Sequence, residues 1–216
     1  GAFVSGATAE KTTFADLAKD FEKDFAPHHY RGKAWKFKLA ALRARLDSYG
    51  LVAITPPVVA KYRDDRLRDS DLRYKKDLTK APRVSPATVK SEIDLLSKIL
   101  DVAQKEFGIA LPAGNPVLGV RKPKTGKARD RRLNAEEWTR LVDECQRSQN
   151  PWLSPALTLA VETAMRQGEL LSLEWQNIDK KRRLALLLNP KLIKTEEPRA
   201  VPLSSAAMAA LESLPK

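Results

Sequence analysis

Between Glu162 and Trp175 the sequence ETAMRQGELLSLEW sets one arginine and one glutamate inside an apolar helical pattern, and a charge so placed must find a partner. Leu159, Ala160 and Thr163 lead into a turn, and Leu170, Leu171 and Leu173 resume a buried face. The pattern predicts Arg166 at the start of a helix whose body lies in a core. A semi-buried guanidinium is costly unless a carboxylate or a bound phosphate satisfies it. Glu169, three residues on, shares the helix face and can hold the arginine fork while other donors remain for a ligand. An exposed ion pair on an ordinary amphipathic helix would give the same local spacing.

The rest of the chain narrows the choice. Its 216 residues, 43% hydrophobic, suffice for two modest domains with real cores. The net charge of +12, from 39 Lys+Arg against 27 Asp+Glu, favours a polyanionic partner, with nucleic acid first. The longest apolar runs, such as Leu184 to Leu188, are too short to cross a bilayer, and the start does not resemble a signal peptide, so a soluble intracellular protein is expected. Cys145, beside Leu141 and Val142, fits a buried structural thiol on a helix whose three residues point inward. His28 and His29 lack a second ligand pair at metal spacing and fit a surface position near a helix end.

Residues 1–114 predict four helices. Thr13 and Asp16 form a capping box ahead of the stripe Phe14, Leu17, Ala18, Phe21 and Phe25, and Pro27 is expected to close that helix. The second carries Trp35, Leu39, Leu42 and Leu46 inward, with Lys33, Lys36 and Arg43 on one flank and Lys38 and Arg45 on the other. Thr55 is expected to cap the third helix at Pro56, with Ile54 stapled to Val59. The charged stretch from Arg68 to Val84 lacks apolar periodicity and predicts a mobile loop. Ser85-Pro86 opens the longest helix, with Val89, Ile93, Leu96, Leu100, Ala103 and Phe107 inward and Lys90 off the stripe.

Residues 115–132 predict a tether. From Arg121 to Arg132 there are seven basic residues and one acidic, a net of +6 and half the charge of the chain. With Pro123 and Gly126 it should be extended, and Lys127, Arg129, Arg131 and Arg132 are placed to track phosphates. From residue 133 a new pattern begins. Asn134 and Glu137 form a second capping box, Ser154-Pro155 opens another helix, and Leu184–Leu188 with Arg199–Leu203 predict a small antiparallel β-element before a helix capped by Ser204.

Several phrases carry a family resemblance. T-A-M-R-Q-G-E-L-L-S-L-E-W resembles the first catalytic box of the tyrosine recombinases, the phage-integrase family, written T-G-x-R-x-x-E-L followed by L-x-W. Ala164 stands where the family more often has glycine, a mild departure unless the backbone needs a positive φ there. I-K-T-E-E-P-R-A-V-P-L-S resembles the family's second element, a lysine on a β-hairpin, which favours Lys194 over nearby Lys191. L-x-x-Y-G-L, I-T-P-x-x-V-x-x-Y-R-D-x-R, V-S-P-A-T-V-K-S-E-I-D-L-L-S and N-P-V resemble its core-binding domain.

The resemblance implies a mainly α fold. A four-helix, SAM-like core-binding domain would occupy residues 1–114, a basic linker 115–132, and the first part of an α+β catalytic domain with a small antiparallel sheet 133–216. It implies duplex DNA at an attachment or recombination site as partner, cleaved through a phosphotyrosyl bond with neither metal nor nucleotide cofactor. Arg166 would stabilise charge on the non-bridging oxygens, Glu169 would orient it, and Lys194 would protonate the leaving 5′-oxygen. Lys33, Lys36, Lys38, Arg43, Lys90 and the linker cations would hold the duplex. A cytoplasmic, bacterial or phage-encoded protein is implied, tetrameric on DNA at full length, with this stretch monomeric off it.

The family's later H-x-x-R box, further His or Trp, and C-terminal tyrosine do not occur, and Tyr30, Tyr49, Tyr62 and Tyr74 all lie in the first half. The expectation is therefore an integrase cut partway through its catalytic domain. A non-catalytic DNA-binding protein of the same fold is the second reading, and a basic RNA-binding or scaffolding protein a distant third.

Overall fold

The computed structural model describes residues 10–72, 80–127, 130–189 and 197–214, and the chain divides into two compact units between residues 128 and 129.

In the first unit the Thr13 hydroxyl accepts from the Asp16 amide while the Asp16 carboxylate accepts from the Thr13 amide, both at 3.2 Å, and this box starts α1 (Phe14–Asp20). The helix does not stop at Pro27. It passes through a π-helical turn, Phe21–Phe25, into α2 (Ala26–His29). The Ala26 amide bonds to the Phe21 carbonyl, five residues back, so the proline enters where the hydrogen-bond ladder has already widened. His28 and His29 are exposed, and His29 stacks on Phe25 at 3.8 Å between ring centroids.

Helices α3 (Ala34–Leu46), α4 (Pro56–Arg68) and α5 (Pro86–Lys105) follow in this unit. Thr55 stands at the N-cap position of α4, but its side chain makes no capping hydrogen bond, contrary to expectation. Helix α5 packs against α1, α3 and α4. Being surrounded, it buries Glu92, Leu95, Ile99 and Val102 beyond the predicted stripe, whereas Phe107 is only partly covered.

The expected loop after α4 is pinned at both ends. The Asp71 amide donates to the Pro82 carbonyl at 2.8 Å, the Val84 amide to the Asp69 carbonyl at 2.9 Å, and Val84 is buried. Its middle, residues 73–79, lies outside the described residues. The predicted tether likewise begins later than expected. The Asn115 side-chain amide donates to the Ser97 carbonyl at 3.0 Å and to Asp101 at 2.8 Å, and Val117 enters the core. Lys122 then pairs with Asp94 at 2.6 Å, so residues 115–122 are held on the first unit by a satisfied buried amide and an apolar anchor.

In the second unit the Asn134–Glu137 box starts α6 (Ala135–Arg147), followed by α7 (Leu153–Thr163) and α8 (Gln167–Leu171). Cys145 is buried as expected, but Leu141 is 36% exposed, because α6 is covered along only part of its apolar face, by α7. Strands β1 (Ile178–Asp179), β2 (Leu184–Leu187) and β3 (Arg199–Pro202) form an antiparallel sheet in that order, with Ala185 opposite Val201. Helix α9 (Ser205–Glu212) follows, its first turn capped by the Ser204 hydroxyl. Leu159, Met165, Leu187, Val201, Leu203 and Leu211 form the core between these elements. The architecture is mainly helical with one small antiparallel sheet. Among the described residues no helix is long and apolar enough to cross a membrane.

Candidate functional site

The chain turns sharply between α7 and α8. Ala164 ends α7 with φ +50°, in the left-handed region, and Arg166 is the N-cap residue of α8. This is the position at which the resemblance calls for glycine, and the backbone explains why: a Cβ in that region costs roughly 1–2 kcal/mol. Ala164→Gly should therefore raise unfolding stability by about 0.5–1 kcal/mol after the glycine's extra unfolded-state entropy is deducted. Urea denaturation tests this, and a loss of stability would mean that the alanine sits there without strain.

Burial falls on the opposite partner from the one the spacing suggested. The Glu169 side chain has no solvent exposure, whereas that of Arg166 is 53% exposed. Glu169 Oε2 accepts from the Arg166 backbone amide at 2.9 Å, and Oε1 accepts from Arg166 Nη1 at 3.0 Å. A third donor comes from the sheet: Arg199 Nη2 reaches Glu169 Oε2 at 2.8 Å. Burial pushes the Glu169 carboxyl upward, but the amide and the two guanidinium groups outweigh it and hold it below the ordinary range. Because the folded value is depressed, the stabilisation is present above the unfolded value, near 4.3, and is lost as pH falls through the folded one. Near neutrality Glu169 is an anion fixed between two cations.

Arg199 was missed in the sequence, although the signal was there. Strand alternation puts it on the same face as Val201 and Leu203, both buried, so an arginine aimed inward required a partner.

The other candidates divide. Lys194, its competitor Lys191 and Arg129 lie outside the described residues. On α3, Lys36 pairs with Glu22 at 3.2 Å and lies 5.3 Å from the Trp35 ring centroid, and Arg43 pairs with Asp47 at 3.1 Å. Lys90 pairs with Asp94 at 3.0 Å, and Arg131 with Glu137. Lys33, Lys127 and Arg132 are exposed and Lys38 half-buried, and none of these four makes an ion pair among the described residues. No group of three or more His, Cys, Asp or Glu residues that could hold a metal ion occurs among the described residues.

Two half-exposed arginines on one buried carboxylate make a fixed cationic site of the kind that takes an anion. Residues 131–215 match the phage integrase family. The chain is 40% identical over 162 residues to the shufflon-specific DNA recombinase of Escherichia coli, a match covering 75% of this chain and 39% of that protein. Its fold resembles a lambda integrase dimer bound to a COC′ core site, with TM-score 0.70 and 22% identity over 95% of this chain and 55% of that one. It also resembles a lambda integrase tetramer bound to a Holliday junction, with TM-score 0.71 and 23% identity over 96% and 57%. The chain belongs to the phage integrase family, the tyrosine recombinases, and spans 39% of the recombinase's length and 55% of the lambda integrase chain.

Proposed function

We propose that this chain serves a site-specific tyrosine recombinase, binding duplex DNA at an attachment or recombination site. The first unit acts as the core-binding clamp, and the second as the portion of the catalytic domain that holds the scissile phosphate. The Arg166–Glu169 arrangement carries this reading. Charge builds on the non-bridging oxygens as a tyrosine attacks the phosphodiester and the 5′-oxygen leaves, and a guanidinium already locked in place stabilises that charge without reorganising. Glu169 supplies the lock. Lys194 supplies the proton that the leaving oxygen needs. The whole enzyme works as a tetramer on DNA in the bacterial cytoplasm, and these 216 residues are monomeric without DNA.

These residues bind DNA without cutting it. The second unit contains no tyrosine. Tyr30, Tyr49 and Tyr62 are packed in or against the core of the first unit. Burial, and then the neighbouring Glu92 charge, hold the Tyr62 hydroxyl well above the ordinary tyrosine value, which makes it a donor and a poor nucleophile. A purely DNA-binding protein of the same fold fits these facts too, and adduct formation by a longer chain separates the two readings.

Salt dependence tests the binding. Anisotropy of a labelled duplex should show affinity falling steeply with ionic strength, and replacing Arg129, Arg131 and Arg132 together by alanine should flatten the slope by about 0.9 for each phosphate that is no longer neutralised. An unchanged slope would remove the tether from the interface. Stronger competition by duplex RNA than by duplex DNA would sink the recombinase reading.

A further inference from the structure

We propose that Arg199 is a second phosphate-binding arginine of this site, held by Glu169 so that its guanidinium takes a non-bridging oxygen of the DNA backbone beside Arg166. The inference rests on the recombinase reading above.

One guanidinium is enough to neutralise a buried carboxylate. Glu169 has two, together with the Arg166 backbone amide, so the cluster of two arginines and one glutamate keeps a charge of +1. Among the described residues Glu169 is the only carboxylate that either arginine meets. Neither arginine closes a bidentate fork on it. Arg166 gives Nη1 to Oε1 and Arg199 gives Nη2 to Oε2, one nitrogen each. A guanidinium carries five N–H donors. Each arginine commits one nitrogen to Glu169 and its side chain is 53% or 44% exposed, so donors remain for a ligand.

The two arginines come from independent elements, the N-cap of α8 and the first residue of β3, and meet on opposite oxygens of a carboxylate that is itself fully covered. Strand alternation would place an apolar residue at position 199 if packing were its only task, as at Val201 and Leu203. Planar, permanently charged donors anchored from behind suit a phosphodiester, whose two non-bridging oxygens share one charge.

The test uses the 216-residue chain, a labelled duplex and a salt titration, with the melting temperature of every variant measured in parallel. A variant that neutralises one phosphate fewer has a slope of log affinity against log salt flatter by about 0.9. Arg199→Gln, which keeps a donor for Glu169 but removes the charge, should show that flattening. Arg199→Lys should keep the wild-type slope, and Arg199→Ala should match Arg199→Gln if it folds. A melting temperature that falls in Arg199→Gln while its salt slope stays at the wild-type value would make Arg199 a structural residue and overturn the inference, with the recombinase reading intact. Absence of salt-dependent duplex binding by the wild-type chain would overturn both.

Discussion

In a longer chain that includes the tyrosine expected of the family, Arg166→Ala should reduce covalent protein–DNA adducts on a nicked suicide substrate by roughly 10²–10³-fold, equivalent to about 2.7–4 kcal/mol of transition-state stabilisation, the range seen for other preorganised donors. The size follows from geometry. The Arg166 guanidinium is fixed by a carboxylate that cannot move into solvent, so its field is in place before charge develops. Lys194→Ala should slow the same step for a different reason, the missing proton. A 5′-phosphorothiolate leaving group hardly needs that proton, and it should restore cleavage in Lys194→Ala while leaving Arg166→Ala impaired. The 216 residues alone should give no adduct. Equal rescue of both variants would overturn the division of roles, and adducts from the short chain would overturn the assignment of its tyrosines.

What the sequence made legible was local. Arg166 and Glu169 stand three residues apart, and the apolar residues around them were enough to place the pair at a helix start beside a core. Which of the two would be covered was not legible, since spacing alone does not say what packs above a helix end. The answer came from β3, whose Arg199 closes over Glu169 across 30 residues of sequence. The cost at Ala164 was visible only as a question about φ, and the turn answered it. Pro27 misled for a related reason: a proline ends a regular α-helix, but a π-helical turn upstream absorbs it. On α5 the spacing of Val89, Ile93, Leu96 and Leu100 marks one stripe, whereas a helix packed against three others buries a wider face.

That wider face holds a buried carboxylate. Glu92, 2% exposed, accepts from the Tyr62 hydroxyl at 2.8 Å and from Arg66 Nε at 3.0 Å and Nη2 at 2.9 Å. Arg66 also pairs with Asp69, which pairs in turn with Arg45 of α3, so the cluster ties α5 and α4 to the helix that carries Lys36 and Lys38. Burial disfavours the Arg66 charge, but the Glu92 and Asp69 contacts outweigh it and raise its proton affinity, so the guanidinium stays charged near neutrality. Glu92→Ala leaves a guanidinium and a phenol without their buried acceptor and should cost about 3–5 kcal/mol in chemical denaturation, enough to unfold much of a marginally stable unit. Replacing the whole cluster is a different experiment. The combination Glu92→Met, Arg66→Met and Tyr62→Phe removes donors and acceptor together, leaves Asp69 to Arg45, and should recover most of that loss. If the cluster acts on binding only by orienting α3, the recovered variant should keep its affinity for duplex DNA in step with its stability. A Glu92→Ala cost below about 1 kcal/mol would mean that water or another side chain replaces the carboxylate. A triple variant as unstable as the single one would place the cost in packing around α5 and not in the stranded charge.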